Sequence, residues 1–460
     1  MIQKSLAEIA AMIKHETEGS AIKDVSVEGV TIDTRKIEEG NLFIPFKGEN
    51  VDGHRFVEDA INKGAAAALW QKDVPNPPTH LPILIVEDTL IALQELARNY
   101  RQQLNVKVLG ITGSNGKTTT KDMVASLLGQ EFQVQKTEGN FNNHIGLPLT
   151  ILRLKEETEM AILEMGMSSR GEIEFLSKLA QPDAVIITNI GESHLLDLGS
   201  REAIADAKLE IILGLQNEGL IVYHGDEPLL QERLSSYDGN GQLRTFGRST
   251  QNDLYPVEIT QTSAGNTFTT NRSGVSFHLP VLGTHNVLNA LASMLAAEFF
   301  GVSYEKMNGG FASLKLTNMR MELVEGAAGI NIINDAYNAS PTSMKAAIEL
   351  ISNLDGYERK ILVLGDMLEL GPLEEKYHYQ IGSSLDADKI DYVFTYGKLG
   401  AYMAEGAKEV LGEDRVFSYE DKEMISNKIK QLVRPNSTLV LVKASRGMKL
   451  EEVVTFLQQK

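Results

Sequence analysis

The chain has 460 residues, room for about three domains of ordinary size, and 42% of them are hydrophobic, so sizeable cores are within reach. A formal net charge of −18 argues against wrapping nucleic acid or lying on an anionic membrane, although a local basic pocket can still hold an anionic substrate. Cysteine is absent, which excludes a disulfide framework, a thiolate nucleophile and a cysteine metal site.

Residues 1–103 read as a first α/β unit. Its opening stretch, MIQKSLAEIAAMIKHETEG, lacks the continuous apolar core of a signal peptide, and no later run is long enough to span a bilayer. This predicts a soluble, cytoplasmic protein without membrane insertion. Leu6, Ile9, Ala10 and Ile13 recur at helical spacing. Short strands are expected at 27–32, 41–45 and 66–69, an irregular proline-rich loop at 75–82, a strand in PILIVED, and a helix over 89–105 leading out of the unit.

A second unit, 104–315, opens with VKVLGITGSNGKTTT: a buried strand, a glycine-rich turn and a helix start. Gly113 and Gly116 permit backbone angles closed to other residues, so neighbouring N–H groups can face one anion. Lys117 adds a cation for the outer phosphates, the Thr118 hydroxyl suits Mg²⁺, and the helix start turns its positive end to the same place. Gly113, Ser114, Asn115, Gly116, Lys117, Thr118 and Thr119 are therefore the expected phosphate contacts. The usual nucleotide loop carries glycine where this chain has Ile111; the loop reads G-x-x-G-x-x-G-K-T from Gly110. Strand-like runs at 161–163, 184–189 and 219–223 alternate with helical patterns, which implies a parallel sheet. A β excursion is expected over 257–279 and an apolar helix over 284–300.

A third unit, 316–460, has strand candidates at 330–334, 361–364, 392–395 and 438–442, each followed by a helix pattern. That is a second α/β sheet, with a ligand edge at the carboxyl ends of its strands. The cluster EDKEMISNKIK reads as a solvated helix face, and no internal repeat or low-complexity tract is present.

Glu164 ends the strand AILEMG, and His194 follows AVIITNI after a short loop. Both open on the face that carries the phosphate loop, where they could ligate Mg²⁺ beside Thr118. By themselves Glu164 reads more readily as a solvated strand end and His194 as a helix cap. Lys208, between Asp206 and Glu210, reads by itself as a surface ion-pair residue. Asn286 and Asn289 share one face of the helix in GTHNVLNALASMLAAEF, where their amides could read an adenine edge.

At this point the chain resembles the Mur ligases, the ATP-dependent amide-forming family of peptidoglycan synthesis, over essentially its whole length. The resemblance rests on GITGSNGKTTT, LEMG, TNIGESHL, AKLEI, GTHNVLNA and, in the third unit, DAYNASP, LGDMLELG and KASRG. GNFNNHIGLPLT, DAYNASPTSM and LGDMLELG are most similar to the branch that adds D-alanyl-D-alanine to UDP-N-acetylmuramoyl-tripeptide, and IDTRKIEEGNLFIPFKGENVDGH is similar to its uridine-nucleotide domain. Two departures stand out. The family's DAYNANP and KGSRG read here with Ser340 and Ala444.

The resemblance implies an α/β fold of three domains: an N-terminal α/β uridine-nucleotide domain, a central P-loop-type parallel-sheet ATPase domain, and a C-terminal Rossmann-like α/β domain that completes the ATP site and binds the incoming dipeptide. It implies that ATP converts the tripeptide carboxylate to an acyl phosphate, which the dipeptide amine attacks. Thr118 and Glu164 would hold one Mg²⁺; His194 and a carbamylated Lys208 would help hold a second. Asn286 and Asn289 would lie by the adenine, with Arg320 and Asp335 as further ATP contacts and Asp335 on the ribose. Asp33, Thr34, Arg35, Lys47 and Gly48 would form part of the uridine pocket. Asn140, Asn142, Asn143 and Asn338 would face the rest of the substrate. A monomer is expected. Three rivals remain: a folylpolyglutamate synthase-like ligase, against which the first unit counts; a nucleotide switch, which would need an N-K-x-D motif that does not occur; and a sibling ligase adding the third amino acid.

Overall fold

The computed structural model describes residues 1–459 apart from 20, 21, 23, 49, 50 and 263, so residues 49 and 50 of the first-unit motif lie outside the described residues. At the centre of the chain lies a six-stranded sheet in the order Gln242–Phe246, Leu220–His224, Ala184–Ile187, Lys107–Thr112, Met160–Glu164, Val134–Lys136. Every neighbouring pair is parallel. The four inner strands are apolar almost throughout because helices cover both faces of the sheet. Leu109 and Ile111 point to one face, against Met123, Val124, Val287 and Ala290 of the helices Lys117–Leu128 and His285–Phe299. Val108, Leu163 and Val185 pack on the other face, with Ile173, Leu176 and Ile204 of Glu172–Ala180 and Arg201–Leu209. The β excursion is a three-stranded antiparallel sheet, Pro256–Thr262, Gly265–Thr270 and Ser273–Leu279.

The first unit carries a parallel sheet of Val30–Thr31, Leu42–Phe43, Ala67–Gln71 and Ile83–Val86. The single strand expected over 27–32 is two. Ser26–Glu28 pairs with Gln3–Ser5, and at Gly29, whose φ is +76°, the chain changes partner. The helix Thr89–Gln103 belongs as much to the second unit as to the first. Tyr100 Oη donates to the Leu154 carbonyl (2.9 Å), Arg101 Nε to that of Ala180 (2.9 Å), and Leu93, Leu96 and Ala97 share one apolar core with Leu147, Leu149 and Leu176.

The third unit is a Rossmann-like sheet in the order Glu322–Glu325, Asn331–Asp335, Thr438–Lys443, Arg359–Gly365, Tyr392–Tyr396, Val416–Tyr419, parallel except for its first strand. The charged cluster forms the helix Lys422–Leu432, which buries Ile425 and Ile429 and exposes Glu423 and Lys430. Among the described residues no helix is long and apolar enough to cross a membrane.

One buried carboxylate ties the second unit to the start of the third. Asp122, its side chain fully covered, accepts from the backbone N (2.8 Å) and Oγ1 (2.9 Å) of Thr317 and pairs with Lys136 (2.6 Å) and Lys121 (3.6 Å). Asp122→Ala should cost about 3–5 kcal/mol, because it strands a buried ammonium as well as releasing the connector. Thermal melting should show the loss, and small-angle scattering should show a wider spread between the second and third units. A melting curve and profile like those of the unaltered protein would refute this role.

Candidate active site

The strand Lys107–Thr112 delivers the glycine-rich turn, and two of its glycines are sterically required. Gly113 has φ +148°, and a Cβ there would lie 1.8 Å from Thr188 Oγ1; Gly116 has φ +79°, and a Cβ would lie 2.7 Å from Asn289 Oδ1. The turn is braced from the neighbouring strand end: Asn189 accepts the N–H of Ser114 on its carbonyl (3.1 Å) and that of Asn115 on its Oδ1 (2.9 Å). Ser114 is buried, and its Oγ accepts from Gly191 N (2.8 Å). The N–H groups of Ser114 and Asn115 are spent on scaffolding, and the first turn of the helix Lys117–Leu128, with no side-chain cap, is left to meet an anion. Lys117 Nζ donates to the Gly113 carbonyl (2.7 Å), and burial draws its ammonium below the usual lysine value against the opposing pull of Glu164.

Thr118 Oγ1 donates to Glu164 Oε2 (2.9 Å), and Asn142 Nδ2 donates to the other carboxylate oxygen (2.9 Å). Thr118 and Glu164 are both buried. Mg²⁺ takes oxygen ligands, keeps waters and is usually held by one or two carboxylates together with substrate phosphates. A hydroxyl beside a fixed carboxylate at a phosphate loop fits that ion. Among the described residues no group of three or more His, Asp or Glu could hold a metal alone, so phosphate oxygens and water would have to complete the shell. Arg320 reaches in from the third unit. Its Nη2 donates to Thr118 Oγ1 (3.3 Å), its guanidinium lies 4.1 Å from the Tyr337 ring centroid, and its Nε is buried without a hydrogen-bond partner.

Lys208 is not the surface ion-pair residue its neighbours suggested. Asp206 is taken by Arg170 (2.8 Å) and Arg233 (2.6 Å), and Glu210 accepts the N–H groups of Gly171 (2.9 Å) and Glu174 (3.2 Å). Lys208 is 1% exposed, and among the described residues its Nζ has no hydrogen bond or ion pair. Burial and, second, the Lys117 ammonium push its amine well below the usual value, toward the neutral form. His194 makes no hydrogen bond or ion pair with Thr118, Glu164 or Lys208 among the described residues. Its Nδ1 sits 2.8 Å from Oε2 of Glu369 in the third unit, close but poorly aligned for a hydrogen bond.

A cavity between the second and third units is lined by Asn115, Gly116, Thr119, Asn286, Asn289, Arg320, Asp335 and Asn338, and also by His285 and Lys443, which the motifs contained but the expected site did not. Asn286 spends its amide protons on the Leu282 carbonyl (2.7 Å) and His285 Nε2 (3.2 Å), and its oxygen accepts from Asn289 (2.9 Å). Burial holds His285 at about 4, so its imidazole is neutral at neutral pH. Lys443 bridges Asp335 Oδ2 and the Asn338 carbonyl (2.9 Å).

The first-unit candidates are engaged within their own unit. Asp33 holds Arg35 through two side-chain bonds (2.9 and 2.8 Å), which bring its carboxyl down to about 2, and it caps the turn Thr34–Lys36. Lys47 pairs with Asp73 (2.6 Å), and Gly48 N donates to Val51 O (3.0 Å). Of the asparagines at 140–143, Asn142 serves Glu164, Asn143 accepts the N–H of Gly146 (2.9 Å) at a helix start, and Asn140 is exposed.

Comparison with known proteins agrees with this architecture. The model of the Mur ligase family catalytic domain matches residues 26–101, that of the Mur ligase middle domain 111–297, and that of the Mur ligase glutamate ligase domain 319–446. The chain belongs to the Mur ligase family. It is 53% identical over 454 residues to the UDP-N-acetylmuramoyl-tripeptide–D-alanyl-D-alanine ligase of Bacillus subtilis (strain 168), covering 99% of this chain and 98% of that protein. Among solved structures it is similar to MurF of Acinetobacter baumannii (TM-score 0.89, 28% identity, 100% and 99% of the two chains). It is also similar to the MurF ligase of Thermotoga maritima in complex with ADP (TM-score 0.82, 28% identity, 96% and 98%).

An amine held in a covered side chain without a partner costs stability. Lys208→Met should therefore raise the melting temperature of the ligand-free protein, by the equivalent of about 1–3 kcal/mol. The native pKa is depressed, so the wild-type penalty deepens as pH falls below the unfolded lysine value of about 10.4, and the gap between the two proteins should narrow as pH rises toward it. A variant that melts lower than wild type at every pH would show the amine to be stabilising.

Proposed function

We propose that this chain joins D-alanyl-D-alanine to UDP-N-acetylmuramoyl-tripeptide at the expense of ATP, as an ADP-forming ligase of cytoplasmic peptidoglycan precursor synthesis. The carrying observation is the phosphate loop with Thr118 bonded to Glu164 and Arg320 closing over them from the third unit (2.9 and 3.3 Å). Identity of 53% along nearly the whole chain to a relative of that name favours this reaction over the sibling ligase and the folate ligase.

In this reading residues 1–103 bind the UDP-muramoyl end, 104–315 bind ATP, and 316–460 complete the ATP site and receive the dipeptide. The first helical turn, Lys117 and the Arg320 fork grip the phosphates and align the γ-phosphoryl with the tripeptide carboxylate. Attack of a carboxylate oxygen on phosphorus expels ADP and leaves an acyl phosphate. The dipeptide amine adds to its carbonyl carbon, loses a proton, and inorganic phosphate departs as the amide forms. Two anions must meet at the first step, so charge neutralisation and alignment dominate the barrier. Mg²⁺, two ions in this reading, would neutralise phosphate charge, held by Thr118 and Glu164 on one side and by His194 and Lys208 on the other. Asn286 and Asn289 flank the adenine and Asp335 the ribose. Asp33, Thr34, Arg35, Lys47 and Gly48 contribute to the uridine pocket, and Asn140, Asn142, Asn143 and Asn338 to the remaining substrate. The enzyme works as a monomer.

A bare ammonium makes a poor neighbour for a cation. A neutral Lys208 amine can add CO₂ and release a proton, giving a carbamate whose oxygens suit Mg²⁺. Burial shifts the amine toward the neutral form this needs.

Phosphate release requiring both UDP-muramoyl tripeptide and D-alanyl-D-alanine tests the assignment; release with folate and glutamate, or with the dipeptide substrate and a single amino acid, would overturn it. Lys117→Ala should lower turnover on the order of 100–1,000-fold without unfolding the chain, since it removes the main cation from the transferring phosphoryl. Lys208→Ala should be similarly slow, and acetate, filling the vacated space with a carboxylate, should restore part of the rate. A fully active Lys208→Ala enzyme would sink the carbamate and leave the ligase standing.

A further inference from the structure

Glu369 belongs to the LGDMLELG stretch of the third unit, yet its carboxylate lies 2.8 Å from Nδ1 of His194 in the second. The contact is not a chance meeting of two mobile side chains. The backbone N–H of Leu196 donates to the Glu369 carbonyl (3.0 Å), so main chain and side chain of Glu369 both engage the same short turn. Both residues sit in the left-handed region, each with φ +65°. For a residue with a Cβ that conformation is strained and persists only where the surroundings impose it.

The surroundings do so on each side. Met367 N donates to His378 Nε2 (2.8 Å), and Nδ1 of His378, which is fully buried, is bound to the Glu374 carbonyl (2.7 Å). Leu368 N donates to Ser445 Oγ (2.9 Å), and Ser445 N to the Asp366 carbonyl (3.1 Å). The loop that presents Glu369 is thus fixed to the third unit at successive residues. On the other side, Ser193 Oγ reaches the Ser114 carbonyl of the phosphate loop (3.5 Å), and the His194 carbonyl accepts from Leu198 N (3.1 Å). A carboxylate 2.8 Å from Nδ1 favours the tautomer that places the ring proton on that nitrogen, by charge rather than by an aligned hydrogen bond, and leaves the lone pair on Nε2.

We propose that Glu369 is a positioning residue that arrives with the third unit, fixes the tautomer and orientation of His194, and so makes domain closure a condition for a competent histidine beside the phosphate loop. This rests on the reading that His194 serves the phosphate and metal side of the site. An exposed ion pair with no such role would contribute little to anything measurable.

The test uses the full chain with ADP and Mg²⁺, comparing Glu369→Ala, Glu369→Gln and His194→Ala. Nitrogen-15 histidine spectra should show His194, recognised by its loss in His194→Ala, protonated on Nδ1 in the wild type and redistributed toward Nε2 in Glu369→Ala. kcat should fall about 10–100-fold in Glu369→Ala with KM for ATP moved less than about twofold, since orientation rather than nucleotide affinity is lost. Glu369→Gln, which keeps an oxygen able to face Nδ1, should recover part of that rate. Glu369→Ala combined with His194→Ala should be no slower than His194→Ala alone. An unchanged tautomer, a normal kcat in Glu369→Ala while His194→Ala is slow, or additive losses in the double variant would overturn the proposal. A fully active His194→Ala would instead remove His194 from the catalytic site, and the positioning role with it.

Discussion

The register of three parallel strands sets the chemistry at this site. Ile111 lies opposite Glu164, and Thr112 opposite Ile187, so the strands that end in the phosphate loop, the Glu164 carboxylate and the Thr188–Asn189 brace stop at one level. From there, side-chain length does the rest. Thr118, one residue into the helix, reaches Glu164 (2.9 Å), and Asn189 reaches back to the loop at Asn115 (2.9 Å). A slip of one residue along either neighbour would turn its side chains to the opposite face of the sheet. Burial of those strands on both faces prevents such a slip, so the apolar core and the catalytic geometry are one constraint.

The two boundaries between units are physically different. Between the first and second the apolar core is continuous, and Leu93, Leu96 and Ala97 pack directly on Leu147 and Leu176. Prising these apart would expose apolar area at roughly 25 cal/mol per Å². Between the second and third units apolar packing is slight, with Leu282 joining the third unit's core, and the other ties are separate polar contacts: Arg320 to Thr118 (3.3 Å), Ser340 to Asn115 (3.2 Å), Thr342 to Glu192 (2.7 Å), Leu196 to Glu369 (3.0 Å). Each is worth about 0.5–1.5 kcal/mol net, and each can be exchanged for water. The fold therefore has a rigid front pair and a back unit that can part from it about the Asp122–Thr317 anchor. Such a boundary suits a nucleotide that enters, is enclosed and leaves as ADP.

The sequence made the inner strands and the phosphate loop legible because burial on both faces writes continuous apolar runs. It did not reveal Val134–Lys136, Gln242–Phe246, Glu322–Glu325 or Val416–Tyr419, which lie at sheet edges and carry no continuous buried run. At the site, Glu164 and Lys117 could be read from their place after strands. Lys208 could not, because Asp206 and Glu210 beside it look like ion-pair partners, and only the fold shows that arginines and backbone N–H groups claim them. Asn142 was read as a substrate group; its bond to Glu164 depends on two segments brought together by the sheet. Glu369 carried no signal, since its partner is in another unit.

Ser340 and Ala444, where the family pattern has asparagine and glycine, are each absorbed by a neighbour. Ser340 caps the helix Pro341–Asn353: its hydroxyl accepts from Ser343 N (3.4 Å), its own N–H donates to Ser343 Oγ (2.9 Å), and the same hydroxyl donates to Asn115 Oδ1 in the phosphate loop (3.2 Å). A short side chain thus satisfies a helix start and keeps the tie across the cleft. Ala444 is fully buried directly after the strand Thr438–Lys443, and a Cβ on Gly365 would lie 2.8 Å from its methyl. Only one of these adjoining positions has room for a methyl, and here the LGD glycine yields it. The main chain of Ser445 then reaches Asp366 (3.1 Å) and its hydroxyl Leu368 (2.9 Å), so the loop that carries Glu369 stands on the altered motif without losing its support.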